Sequence, residues 1–336
     1  MSTTTQPEFL IDSRGTTRET DAYVVGLGFC RATGTLGAGL GDGTVRIGTD
    51  LVTHQAHEGA VLAFCPDAKA GFLTGGDDGR LVSTAAEAVT LAKYGSRWVD
   101  QVAAHPDGLR AASVGKALHL LDGKGEALKS LNHPSSVAGI AFDAKGKRVV
   151  ASHYNGASVW FVNAKEDKPR FLEWKGSHGL VRFSPDGTHV VTAMQENALH
   201  GWRLADGQHM RMSGYPTKTR SMEFTAKGRW LATAGAESIV MWPFFGGGPM
   251  GKPPTELAGG DGVFCSALAC HPQHEVVAAG FDDGLVLIAE IGSGKVLPVA
   301  PPSESPVSAI AWNASGNMLA FGTEKGLIGW LDFSAR

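Results

Sequence analysis

The chain has 336 residues, 43% of them hydrophobic and 19% charged, with 45 glycines and a formal net charge of −3. That balance creates no field to draw in nucleic acid, and no basic run makes a local exception. No apolar stretch approaches the roughly 20 residues needed to cross a bilayer, Met1-Ser-Thr-Thr-Thr-Gln-Pro lacks the features of a secretory signal, and four scattered cysteines make no disulfide framework, so the expected setting is reducing, cytoplasmic and away from membranes.

In chain order, the first apolar run is Glu8-Phe9-Leu10-Ile11-Asp12, which reads as a lone strand. After it one pattern recurs, with steps from 35 residues (Phe29 to Phe64) to 46 (Phe224 to Cys270). Each centre closes an apolar strand and opens a turn. The first four are Phe29-Cys-Arg-Ala-Thr-Gly, Phe64-Cys-Pro-Asp, Ala104-His-Pro-Asp-Gly and Phe142-Asp-Ala-Lys-Gly. Four more follow, at Phe183-Ser-Pro-Asp-Gly, Phe224-Thr-Ala-Lys-Gly, Cys270-His-Pro-Gln and Trp312-Asn-Ala-Ser-Gly. Behind the centres come runs such as Val149-Val-Ala-Ser, Val190-Val-Thr-Ala and Met318-Leu-Ala-Phe, too short and too often broken by glycine for helices.

Asp42-Gly43, Asp78-Gly79, Asn155-Gly156 and Asp283-Gly284 then signal two-residue hairpin turns with positive φ at both central positions. Third strands often end in an aromatic, as at Trp160, Trp202, Trp242 and Trp330, and a further turn such as Asp206-Gly207 introduces a fourth. Four short strands per repeat, with no helical periodicity, is the pattern of a β-propeller.

These residues resemble the WD40-repeat family along nearly the whole chain. The best copies are His57…Phe64-Cys-Pro-Asp…Asp78-Gly79, His133…Phe142…Ser152…Trp160 and His178…Phe183-Ser-Pro-Asp-Gly…Trp202. No Trp-Asp pair closes a third strand, since Arg203 follows Trp202 and Pro243 follows Trp242, so the family's internal His–Asp network is expected to be incomplete. The expectation is a single all-β, WD40-like propeller of eight four-stranded blades. Their approximate bounds are 21–56, 57–96, 97–132, 133–175, 176–216, 217–260, 261–303 and 304–332, with 6–14 closing the ring.

Catalytic motifs are absent. His274-Glu275 begins like a zinc-protease helix but has Ala278 where the second ligand belongs, and Gly292-Ser-Gly-Lys295 falls where a hairpin turn is due. No cofactor is expected. The residue after the first strand is equivalent in every repeat. It places Cys30, Cys65, His105 and His271 on one arc, with Cys270 and His274 near, which are zinc-type ligands. The competing reading, turn capping with cysteine as a small filler, is the preferred one. A zinc-handling protein and a propeller enzyme with a channel site are the alternatives to the leading expectation, a protein-interaction platform.

The resemblance implies that partner proteins meet the face carrying the inter-blade loops and the turns between second and third strands. On the loops fall Tyr23, Arg97, Trp98, Arg220 and Phe264; on the turns fall Leu40, Tyr154, Met194 and Phe281. Aromatics and arginine dominate interface hot spots. A second candidate is the interruption at 243–254, where Phe244, Phe245 and Met250 could hook a partner on the opposite face.

Overall fold

The structure, a computed structural model, describes residues 8–260 and 262–334. Among these residues there is one short helix, Leu10–Arg14; nearly all the rest of the regular structure is antiparallel strand. Six sheets have four strands: residues 24–55, 61–93, 101–132, 222–259, 265–300, and 307–332 joined by Gly15–Glu19. Within each, consecutive strands pair as a meander from the inside outward. The first strands of successive repeats stand side by side round a closed ring, Val307–Trp312 beside Val24–Phe29. The protein is an all-β propeller.

Seven hydrogen-bonded sheets form the ring where eight four-stranded ones were expected. The difference lies in residues 139–212, where the fourth and fifth repeats share one six-stranded sheet. Arg148–Phe161 runs as one strand element but doubles back at Asn155-Gly156, both at positive φ (67° and 135°). Across that fold the Val162 N–H donates to the Lys147 carbonyl at 3.0 Å. Arg170–Phe183 is likewise continuous. Its first half pairs with the doubled strand, Arg170 opposite Val159, and its second half with the next repeat, Phe183 opposite Val190. No loop interrupts the chain between the two repeats, so the ladder runs on from one to the other.

The ring is closed near the N-terminus, but not by residues 6–14. Residues 6 and 7 lie outside the described residues, and Leu10–Arg14 is helical. The closing strand is Gly15–Glu19, which pairs with Leu327–Asp332 from Gly15↔Leu331 to Glu19↔Leu327. The outermost strand faces solvent, so polar Thr-Thr-Arg-Glu suits it. The apolar Phe9-Leu10-Ile11 instead packs as a cover against Val299, Leu331 and Phe333. Apolar character marked burial here, not pairing.

Second strands are sandwiched between neighbouring sheets on both faces. Leu36–Leu40, Phe72–Gly76 and His189–Met194 are therefore buried throughout, and read as continuous apolar or small runs rather than alternating ones. Glycine brings the sheets close: a Cβ on Gly37 would lie 2.2 Å from the Phe72 ring of the next repeat. Outer strands such as Val52–Gln55 are mostly exposed.

Side chains fasten neighbours together along the inner ring. Ser221 accepts from the Leu268 N–H (3.1 Å), Ser266 donates to the Val307 carbonyl (2.7 Å), and Ser308 donates to the Val24 carbonyl (2.7 Å). Further out, Arg110 grips the fully buried Asp67 of the preceding repeat through two bonds of 2.7 and 3.0 Å. Arg31 of the first repeat reaches the Asp67 and Ala104 carbonyls.

Candidate partner face and central channel

The meander places the loop entering each first strand and the turn between second and third strands at the same end of the ring. Those turns differ from the sequence expectation. Positive φ at both central residues occurs at Asn155-Gly156 alone; at Asp42-Gly43, Asp78-Gly79 and Asp283-Gly284 only the glycine is left-handed, at 84°, 77° and 94°. Its N–H donates back three residues, Gly43 to Leu40 (3.1 Å) and Gly284 to Phe281 (3.0 Å). The aspartate accepts the N–H two residues on, as Asp42 does from Thr44 (2.9 Å) and Asp78 from Arg80 (3.0 Å). This is a three-residue turn with glycine in the left-handed position. A Cβ on Gly79 would meet the Gly95 carbonyl at 2.0 Å, so the turn also seats the next inter-repeat loop.

Beneath the turns lie buried polar networks. His57 Nδ1 is 2.9 Å from Asp78 Oδ1 and its Nε2 2.8 Å from Thr74 Oγ1. Burial holds the His57 ring below the usual imidazole range, so it is neutral. A carboxylate only accepts, so Nδ1 carries the proton and Thr74 donates to Nε2. Burial pushes the Asp78 carboxyl up, but bonds from His57, the Glu58 N–H and Arg80 outweigh it and hold it well below the usual range. The fourth repeat instead has Trp160 Nε1 donating to His133 Nε2 at 3.0 Å, with burial lowering that ring to about 4. In the fifth, Thr192 meets His178 Nδ1 at 2.7 Å. In the sixth, Trp242 Nε1 donates to the Tyr215 hydroxyl, itself 2.6 Å from Thr233. Burial raises the Tyr215 hydroxyl to about 12. Tyr215 thus takes the histidine's place, a role the sequence shows only through its spacing from Thr233 and Trp242.

Of the residues read as partner-binding, Trp98 (58% exposed), Tyr154 (54%) and Tyr23 (44%) stand out on this face, with Arg97 and Arg220 also exposed and Phe264 half-buried. Tyr23 and Arg220 share the mouth of the channel with Glu324, and Arg220 and Phe264 line a small cleft with Asp282. Leu40, Met194 and Phe281 are corrections. Each is the last residue of a second strand rather than part of the turn beyond it, and each is buried between sheets.

On the opposite face the Cys/His arc does not converge. Among the described residues no group of three or more His, Cys, Asp or Glu is placed to hold a metal ion. His105 Nδ1 accepts the Asp107 N–H (3.2 Å) and His271 Nδ1 accepts those of Gln273 and His274 (3.1 and 3.0 Å). Their Nε2 atoms reach the next repeat's turn, at Ala144 (3.3 Å) and Gly316 (3.0 Å). Both nitrogens are spent on turns. Cys30 and Cys270 are buried, and burial pushes the Cys65 thiol up to about 12 and the Cys270 thiol well above its usual value. Exposed His274 stacks on His271 with ring centroids 4.7 Å apart.

The 243–254 segment folds back over its own blade and the preceding repeat. Phe244 meets Phe224 edge-on at 4.9 Å and His189 at 5.6 Å. Phe245 lies against Trp230 with Arg229 and Lys252 over its ring, and Lys252 bonds the Phe245 carbonyl. Met250 is exposed beside a cleft lined by Trp174, His209 and Trp242.

The central channel holds a cavity of about 550 Å³ walled by first strands. Among the eight innermost strand segments only two carboxylate, lysine or arginine residues occur, Arg182 and Glu223, and both line it. Sequence reading missed this pair, although each stands alone in an otherwise uncharged strand.

Meandering blades, Asp-Gly turns and buried His/Ser/Thr/Trp networks make this a WD40-like β-propeller, similar in repeat and fold to that family. No protein-family model matches the sequence. Over 205 residues it is 25% identical to THO complex subunit 3 of Arabidopsis thaliana, a match covering 60% of this chain and 63% of that protein. Over 259 residues it is 26% identical to telomerase protein component 1 of Mus musculus, covering 70% of this chain and 9% of that protein. The chain thus spans less than two thirds of either relative. Among solved structures it is similar to the computationally designed Ika8 protein, with a TM-score of 0.75 and 18% identity over 94% of this chain and 98% of that one, a likeness of fold.

Proposed function

We propose that this propeller is a non-catalytic protein-interaction platform whose partner docks on the face bearing Tyr23, Arg97, Trp98, Tyr154 and Arg220, with Phe264 at its edge. The observation that carries this reading is the exposure of three large aromatics at one end of the ring, where hydration is costly unless a partner covers them. Two relatives bearing the names of a complex subunit and a protein component support membership of a multiprotein assembly. A net charge of −3 favours proteins over nucleic acid as partners. Four free cysteines support a reducing, cytoplasmic setting. Among the described residues no helix is long and apolar enough to cross a membrane.

The test is affinity capture from the native host with wild type, the Trp98→Ala/Tyr23→Ala variant and a Phe245→Ala/Met250→Ala variant of the opposite face. Partners captured by wild type and the opposite-face variant, and missing from the Trp98/Tyr23 variant with unchanged circular dichroism, support the reading. Retention by that folded variant, or loss from the opposite-face one alone, refutes it.

A further inference from the structure

We propose that the central channel binds a small zwitterion of the amino-acid type, its carboxylate on Arg182, its ammonium on Glu223 and an apolar side chain against the channel wall. The channel opens on the partner face, with Tyr23 and Arg220 at its mouth, but Arg182 and Glu223 lie inside it and the proposal does not rest on partner docking.

The two charges belong to neighbouring repeats and line one cavity, yet they do not close to ion-pair distance among the described residues. Each is left partly unsatisfied. Of the five N–H donors of Arg182, one bond is made, from Nη1 to the adjacent Val181 carbonyl at 2.9 Å. Glu223 accepts the Cys270 N–H on Oε2 at 2.8 Å, and Oε1 has no donor among the described residues. Burial drives the Arg182 guanidinium down and the Glu223 carboxyl up from their usual values, by more than their attraction for each other and the Cys270 N–H offset.

A half-buried cation and a half-buried anion held apart across a gap are costly when empty. A lone anion would satisfy Arg182 and face Glu223 unfavourably; a lone cation would do the reverse. A molecule bearing both charges satisfies both. The volume of about 550 Å³ exceeds what a bare charged backbone needs, and Leu27, Ile310 and Ala309 supply an apolar wall. Glu324 and Arg220 at the mouth repeat the balance of signs, so the entrance favours a neutral molecule over an ion.

Calorimetric titration of the whole protein with leucine, methionine and phenylalanine tests this, beside N-acetyl-leucine and leucinamide, which each lack one charge. At least one free amino acid is expected to bind at millimolar concentration or below. Masking either charge should weaken binding about tenfold or more, as should Arg182→Gln and Glu223→Gln in protein of unchanged circular dichroism. If a variant fails to fold, the masked ligands on wild type decide alone. No binding by any free amino acid overturns the proposal. So does N-acetyl-leucine binding as tightly as leucine, which would make this an anion site of Arg182 alone.

Discussion

Asp67 is the residue on which three repeats meet. It is fully buried, accepts two bonds from Arg110, through Nε and Nη2, and one from Ser83 at 2.5 Å, and its backbone carbonyl receives Arg31. Replacing Arg110 with alanine strands a buried carboxylate, so it should cost on the order of 3–5 kcal/mol in urea unfolding. Replacing both Arg110 and Asp67 with apolar residues should cost much less. A small effect of Arg110→Ala would show that Asp67 is solvated in the fold. In the sequence this pair hides within Cys-Pro-Asp, where the aspartate reads as an ordinary turn residue and Arg110 as a strand entrance 43 positions away. The aromatic rim was only partly legible for a related reason. Trp98 and Leu40 both stand beside turns in the sequence, but only the fold tells which side of the strand end each occupies.

The repeat itself was legible element by element, because strand, turn glycine and aspartate recur in fixed order and each has a local physical cause. Closure was legible in kind and misplaced in position: an exposed edge strand carries little apolar signal, while the covering helix carries much. The two segments therefore predict different losses. Removing residues 1–14 takes away a cover that buries Ile11 but spares the closing strand, and should lower the melting temperature by a few degrees. Removing residues 1–20 also takes the strand paired with Leu327–Asp332 and the Thr20 bond to the Gly326 carbonyl (2.7 Å), leaving an open edge prone to association. Light scattering and melting curves compare the two; equal stability of both truncations would assign closure elsewhere.

Across the whole molecule, buried histidines make the ring sensitive to acid. Burial lowers His200 to about 3 and His133 to about 4, and His57, His178 and His189 shift the same way. In the unfolded chain these groups titrate near ~6.5, so below that value the fold binds fewer protons, down to about 3 for His200 and about 4 for His133. Their contribution is complete above ~6.5 and is lost as pH falls, by up to ~1.4 kcal/mol per pH unit for each group. His200 is the sharpest case. It lies stacked on Trp174 with centroids 4.0 Å apart, and neither ring nitrogen has a partner among the described residues. His200→Phe keeps the stack and cannot take up a proton, so its acid-unfolding midpoint by circular dichroism should fall below that of wild type. An unchanged midpoint would place the acid-sensitive group elsewhere.

The pairing of Gly15–Glu19 with Leu327–Asp332 also sets the order of events during synthesis. The strand that completes the last sheet leaves the ribosome ahead of the other described strands, and its partner follows about 300 residues later. At ~5–20 residues per second, that is a wait of roughly 15–60 s. Throughout it the first repeat has no neighbour on one flank, and the polar closing strand must stay unpaired without misjoining. A segment of threonine, arginine and glutamate is well suited to such a delay, since it remains hydrated until its partner arrives.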